Sequence, residues 1–280
     1  MGPDRYKLGF LGPPGSFGEQ AALRYDPNAT RVPFDNHAEV LKALVADQVE
    51  RVILPVENSL EGSVMENIDG ILREENLSIC AEVVLPVEHF LIAAQGTDLR
   101  HVKVVMSHPQ ALGQCRAFLD ELEQEQPLQY EPAFSTAGAV AEAVRTPGTA
   151  AIGSRRAAEL YNGHILAANI ADVRNNKTRF VVLDRTDAEP TGDDKTSIAF
   201  TTEHDRPGSL IEVLSELPKH GINLTKIESR PSRQELGVYV FLIDFQGHRL
   251  EAEVGEALDA VEGHASYFRL LGSYPRFVER

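Results

Sequence analysis

Asn175-Asn176-Lys177-Thr178-Arg179-Phe180 sets a hydroxyl, a guanidinium and an aromatic ring side by side, directly ahead of the apolar run Val181-Val182-Leu183. A guanidinium is a fixed fork for a carboxylate. A threonine hydroxyl can donate to, or accept from, a reacting oxygen. The triplet Thr178-Arg179-Phe180 therefore suits an anionic substrate with a ring and an oxygen leaving group. Alone it is a weak signal, because three such residues also meet by chance and a basic residue at a strand edge is often only solvated. Its meaning depends on the elements around it.

From the start to about Leu183, short apolar runs alternate with amphipathic stretches. Leu8–Leu11, Val52–Val56, Ile79–Leu85, His89–Ala94, Val102–Met106 and Thr149–Ile152 read as strands. Glu19–Tyr25, Ala38–Ala46, Val64–Arg73, Ala111–Gln124, Thr136–Val144 and Arg155–Tyr161 read as helices. This is the pattern of open α/β sheets. The strand ends carry the chemistry. Gly12-Pro13-Pro14-Gly15-Ser16 leads into Glu19, a capping-box spacing, and Ser107-His108-Pro109-Gln110 repeats the device. Glu57-Asn58-Ser59, Ser135-Thr136 and Gly153-Ser154 are further handovers through small or hydroxyl residues. Each alone reads as an ordinary N-cap. Five in one module predict a polar cleft that accepts anions, because helix N-termini present free N–H groups beyond the carboxyl ends of the strands.

Composition sets the outer limits. The 280 residues suggest about two domains, and 42% hydrophobic with 25% charged content is ordinary for a soluble globular protein. A net charge of −15 argues against general binding to nucleic acid or to an anionic membrane. The first residues, Met1 to Lys7, are polar and run into a strand, so no secretion signal is expected. No apolar run has the length of a membrane span. Cys80 and Cys115 lie far apart in apolar contexts and read as reduced core residues of a cytoplasmic protein. The histidine and cysteine spacings make no metal site, and no motif asks for a cofactor.

After the polar linker Asp184–Lys195 the pattern changes. Thr196–Thr202 and Val238–Phe245 alternate as half-buried strands, Ser209–Pro218 is an amphipathic helix opened by Asp205-Arg206-Pro207-Gly208, and Ile222–Arg230 is a further strand. A helix over Glu251–Val261 and a strand near Tyr267–Leu271 complete a βαββαβ, ferredoxin-like unit.

Taken in order, the motifs resemble those of the prephenate dehydratase family, with a catalytic domain followed by an ACT regulatory domain. They are Gly12-Pro13-Pro14-Gly15-Ser16-Phe17, Pro55-Val56-Glu57-Asn58-Ser59, Gly62-Ser63-Val64, Ser107-His108-Pro109-Gln110-Ala111-Leu112, Gln114-Cys115, Ala150-Ala151-Ile152-Gly153-Ser154 and Asn176-Lys177-Thr178-Arg179-Phe180. The later motifs are Gly208-Ser209-Leu210, Gly221-Ile222-Asn223-Leu224 and Glu228-Ser229-Arg230-Pro231. Gly18 departs from the usual Ser or Thr, and Ser209 from the frequent Ala. The fold this resemblance implies is α/β, with a two-lobed catalytic domain like type II periplasmic binding proteins over residues 1–185. Lobe 1 would hold about 1–80 and 163–185, and lobe 2 about 81–162. A linker at 186–195 and an ACT domain at 196–280 would follow.

The resemblance also implies a reaction, prephenate to phenylpyruvate, carbon dioxide and water. Thr178 would hydrogen-bond the departing oxygen. Arg179 would take a substrate carboxylate or brace the site through a protein carboxylate, and Phe180 would form wall or core. Asn58, Ser59, Ser16 and Ser107 would donate to carboxylate oxygens. Glu57 would be a proton source or a structural partner, and His108 a local cap or packing residue. L-Phenylalanine would bind the ACT part through the loop Arg206–Leu210, with Gly208, Ser209 and Leu210, and the strand Glu228, Ser229, Arg230 and Pro231. Feedback inhibition would act between paired domains of a homodimer or homotetramer. Arogenate dehydration and a solute-sensing role are the competing readings. A preceding chorismate mutase module is not expected.

Overall fold

The computed structural model describes residues 6–202, 207–232 and 238–278. The first elements are β1 (Lys7–Leu11), α1 (Phe17–Tyr25), β2 (Thr30–Phe34), α2 (His37–Val45), β3 (Arg51–Asn58), β4 (Gly62–Ser63), α3 (Met65–Arg73) and β5 (Ser78–Pro86). Next come β6 (Phe90–Ala93), β7 (Val104–Ser107), α4 (Pro109–Gln114), α5 (Arg116–Glu125), β8 (Gln129–Pro132), α6 (Thr136–Ala143), β9 (Thr149–Gly153), α7 (Arg155–Leu160), β10 (His164–Ala168) and β11 (Lys177–Asp184). The chain closes with β12 (Asp194–Thr202), α8 (Ser209–Lys219), β13 (Leu224–Pro231), β14 (Tyr239–Gln246), α9 (Ala252–Gly263) and β15 (Ala265–Pro275).

These strands form three sheets: β2-β1-β3-β11-β5 with β4 on β3, then β10-β6-β9-β7-β8, then β13-β14-β12-β15. In the first sheet, β3 and β11 carry the buried runs Val52-Ile53-Leu54 and Phe180-Val181-Val182-Leu183. Unbroken apolar runs mark strands covered on both faces. The second sheet divides its faces by alternation. Leu91, Val105 and Ile152 meet Ala111, Cys115 and Leu119 of the α4–α5 side. Phe90, Ile92 and Met106 meet Ala137, Val140 and Ala157 of the α6–α7 side. β10 pairs antiparallel with β6, so the chain re-enters the first sheet only at β11, later than residue 163 as the sequence suggests. The first sheet also keeps the chain through Pro86 of β5, beyond the expected lobe boundary near residue 80.

Four strands are absent from the sequence reading: the two-residue β4, which only pairs with the end of β3, and β2, β8 and β10. Of the last three, each is the edge of its sheet. An edge strand needs only one partner and carries polar or proline residues without penalty; Thr30–Phe34 holds Pro33 and Gln129–Pro132 ends on Pro132. The expected single helix over Ala111–Gln124 is two helices. Asp172 N–H donates to the Gln114 carbonyl at 2.8 Å, and the Asp172 carboxylate takes the Ala117 N–H at 3.1 Å. A residue remote in sequence thus ends one helix and caps the next.

By contacts the chain has two compact units. One comprises the residues up to Gly70 with Val83–Phe180, and the other Ile71–Glu82 with the residues from Val181 onward. In the second, Ile198, Phe200, Ile243 and Phe245 meet Val213, Leu217, Val254 and Val261 of α8 and α9, a ferredoxin-like βαββαβ core. Its β15 lies close to the Ile79 backbone. Gly272 has φ +139°, and a Cβ there would stand 2.3 Å from the Ile79 carbonyl oxygen. The Arg269 guanidinium donates to the carbonyls of Ile71, Glu74 and Leu77, tying β15 to the end of α3 and the turn after it.

Candidate active site

Within the first unit a cavity of about 380 Å³ is lined by residues next to strands of both the first and the second sheet. That lies in the roughly 300–1,000 Å³ range of small-molecule sites. Its polar side chains include Asn58, Asn176 and Thr178 at the ends of β3 and β11, and His89, Gln114 and Ser135 before β6, at the end of α4 and at the cap of α6.

Hydrogen-bond direction orders the first group. The Asn58 Oδ1 accepts the backbone N–H groups of Leu60 and Glu61, at 3.0 and 3.2 Å. Backbone nitrogens can only donate, so the amide nitrogen must face the other way. There it donates to Thr178 Oγ1 at 2.9 Å and to Asn176 Oδ1 at 2.8 Å. Thr178 is thus an acceptor towards Asn58, and its own hydrogen remains for another partner. The side chain is 9% exposed and lines the cavity. Ser59 secures this corner without lining the cavity: its Oγ donates to Asn176 Oδ1 and accepts the Lys177 N–H at 2.9 Å.

Strand alternation divides the triplet. Thr178 and Phe180 line the cavity. Arg179 points to the other face, where its Nη1 stands 3.5 Å from Glu57 Oε2. Neither Arg179 nor Glu57 is a lining residue. Ser107 is fully buried and donates to the Ile152 carbonyl at 2.7 Å, fastening β7 to β9. Ser16 lines the cavity, but its hydroxyl caps α1: it accepts the Glu19 N–H and donates to the Leu11 carbonyl. Gly18 is also explained, since a Cβ there would lie 2.7 Å from the Leu11 carbonyl oxygen.

Of the five handovers expected from the sequence, those at Ser16, Asn58, His108 and Ser135 reach the cavity, and the one at Asn58 leads into a turn and β4 rather than a helix. The fifth does mechanical work. Ser154 Oγ donates to the Gly15 carbonyl at 2.8 Å, Tyr161 to the Pro14 carbonyl at 2.9 Å, and Arg156 to Glu19 at 3.0 Å. Gly15 needs its missing side chain twice, for φ +88° and for an Ala157 backbone that would be 3.2 Å from a Cβ.

Among the described residues lining the cavity, the titratable side chains are all histidines: His37, His89 and His108. Burial holds the His37 and His89 imidazoles below the usual histidine value, partly offset by Glu66 and Asn67 for His37 and by Gln114 for His89. His108 caps α4, its Nδ1 accepting the Gln110 N–H at 3.3 Å. His37 and His89 had no assigned role in the sequence, because no local spacing marks them; Asn176 and Gln114 stood in motifs without one.

The predicted effector residues lie in the second unit. Gly208, at φ +95°, precedes α8, which starts with Ser209 and Leu210. Glu228, Ser229, Arg230 and Pro231 end the edge strand β13, with Glu228 3.4 Å from Lys226. Arg206 and Asp205 lie outside the described residues.

Fold and cavity together define an α/β enzyme module for a small ligand, followed by a ferredoxin-like domain of the regulatory kind. The chain belongs to the prephenate dehydratase family: the prephenate dehydratase family model matches residues 8–188, and the ACT domain model matches residues 196–263. It is 37% identical to the prephenate dehydratase of Methanocaldococcus jannaschii, over 95% of this chain and 96% of that protein. The solved structure of Arthrobacter aurescens prephenate dehydratase in complex with L-Phe is similar at TM-score 0.86 and 34% identity, covering 96% of this chain and 90% of that one. A structure described as a novel type of quorum quenching acylase is similar at TM-score 0.86 and 31% identity, covering 97% and 98%.

Proposed function

We propose that the chain converts prephenate to phenylpyruvate, carbon dioxide and water in phenylalanine biosynthesis, and that L-phenylalanine regulates it through the ACT domain. Loss of the ring carboxylate supplies the electron pair that aromatises the ring, and the ring hydroxyl leaves with a proton as water. Such a reaction asks for positioning and charge stabilisation more than for a covalent nucleophile.

The observation that carries this reading is the direction of the Asn58–Thr178 hydrogen bond. It leaves the Thr178 hydrogen for the departing oxygen. Asn176 and the start of α1 supply further polar contacts at the same cavity, where helix N–H groups favour an anion. Arg179 and Glu57 act as a brace beneath the strand. Residues 1–185 serve as the catalytic part, 186–195 as a linker and 196–280 as the regulatory part. The assembly is a homodimer or homotetramer in the cytoplasm; among the described residues no helix is long and apolar enough to cross a membrane.

Amide hydrolysis, suggested by the acylase neighbour, needs a base at the nucleophile. The partner of Thr178 Oγ1 is the Asn58 amide nitrogen, which cannot take a proton. Turnover of prephenate by wild type and Thr178→Ala tests the assignment, with arogenate and an N-acyl amide as parallel substrates. We expect phenylpyruvate from wild type and a loss of roughly 10²–10³-fold in kcat for the folded variant. Full activity in the variant would remove Thr178 from this role. Arogenate or amide turnover in place of prephenate turnover would replace the reaction.

A further inference from the structure

We propose that His89 is a positioning residue: its Nε2–H fixes the sense of the Gln114 amide, so that Gln114 presents an N–H to the bound anion. The inference rests on reading the cavity as the site of prephenate dehydration.

The argument starts at Glu61, in the turn between β3 and β4. Its carboxylate Oε1 stands 3.0 Å from Gln114 Nε2, and a carboxylate only accepts. The nitrogen end of the Gln114 amide therefore faces Glu61, and the carbonyl end faces the other way. That end, Oε1, lies 2.8 Å from His89 Nε2. A carbonyl oxygen needs a hydrogen there, so His89 carries its proton on Nε2 and leaves Nδ1 as the lone-pair nitrogen. His89 Nδ1 is buried and has no hydrogen-bond partner among the described residues.

The ring is built in, being 2% exposed. The ring of Phe17, the first residue of α1, meets it in a T-shaped contact with centroids 5.9 Å apart. Its burial also favours the neutral form, whose single N–H the Gln114 carbonyl then draws to Nε2. An amide nitrogen has two hydrogens. Glu61 takes one, and Gln114 lines the cavity with the other available. Among the described lining residues there is no lysine or arginine, so each N–H aimed at an anion matters. A reversed amide would set its carbonyl against Glu61, lose both hydrogen bonds and offer an oxygen where the substrate carries charge.

Two measurements test this. The first is the nitrogen NMR of the histidine side chains in the full wild-type chain. We expect His89 as the neutral Nε2–H tautomer; the Nδ1–H tautomer would overturn the proposal whatever the variants do. The second is steady-state kinetics on prephenate. His89→Gln keeps a nitrogen donor, and His89→Leu does not. We expect His89→Leu to raise KM by roughly tenfold, with circular dichroism unchanged, and His89→Gln to stay within about threefold of wild type. Equal losses in both variants would mean a packing role only. On a Gln114→Leu background, His89→Leu should cost less than about twofold more, because the two residues act as one unit. Additive losses would sink the coupling. No wild-type turnover of prephenate removes the reaction reading and the catalytic half of this inference together. Wild-type turnover with an insensitive His89→Leu removes the inference alone.

Discussion

Thr178 is a poor acid in water, so its usefulness depends on where its hydrogen goes. Asn58 decides that by donating to Oγ1, and Asn58 is itself oriented by two backbone N–H groups. Asn58→Asp therefore makes a sharp test. The new carboxylate cannot donate, so it would draw the Thr178 hydrogen away from the substrate and place a negative charge beside an anion. We expect kcat/KM on prephenate to fall by roughly 10²-fold or more with the melting temperature little changed. Near-normal turnover would show that the direction of this bond does not matter. Arg179, next along the chain, cannot share that cavity because successive strand residues face opposite sides. Its neighbour there is Glu57, the same distance along β3 from Asn58 as Arg179 is from Thr178. The two strands thus present a matched pair of layers: amide and hydroxyl towards the cavity, ion pair behind it.

At the scale of elements, strand-to-helix handovers do two kinds of work. Those at Ser16 and Ser135 start α1 and α6 at the cavity, whereas that at Ser154 clamps the Pro14-Gly15 turn. The division of the expected long helix into α4 and α5 also has a consequence. It leaves Gln114 as the last residue of α4, with its side chain on Glu61 and His89. In the regulatory domain, Gly208 holds φ +95°, and no atom of the described residues stands within 4 Å of a notional Cβ. The effect of Gly208→Val therefore comes first from the backbone, about 1–3 kcal/mol of local strain. If this turn forms part of the effector site, L-phenylalanine binding by titration calorimetry should weaken several-fold while basal turnover stays at the wild-type level. Unchanged affinity would take the start of α8 out of the effector site.

For the whole molecule, charge and burial act together. A chain of net charge −15 must admit a dianion to a cavity where burial holds the His37 and His89 imidazoles towards the neutral form and where the described lining carries no lysine or arginine. Dipoles and N–H groups then carry the attraction. Burial of His37 and His89 also links stability to pH. Both have folded values below the ordinary 6.5. Above that pH they are neutral in both states and contribute no slope. As pH falls below it, the unfolded chain takes up protons that the folded chain refuses, so stability falls until the folded values are reached. Urea unfolding between about pH 7.5 and 5 should show this decline, and His37→Gln should make it shallower. An identical slope in that variant would mean that His37 is not held neutral by the fold.

Much of this was legible in the amino-acid order. The buried strands, the capped helix starts and the βαββαβ unit are written locally, because apolar period, cap chemistry and turn residues act over a few positions. Thr178 and Asn58 stand in sequence motifs, but their meeting across 120 residues is a product of the fold. The edge strands β2, β8 and β10 were not, since a strand with one partner needs no apolar run. Asp172 splitting a helix 55 residues earlier was not legible either, nor was Gln114 meeting both Glu61 and His89. Those depend on groups far apart in the chain, and a hydrogen bond has a direction and a partner only once the fold has brought both ends within about 3 Å.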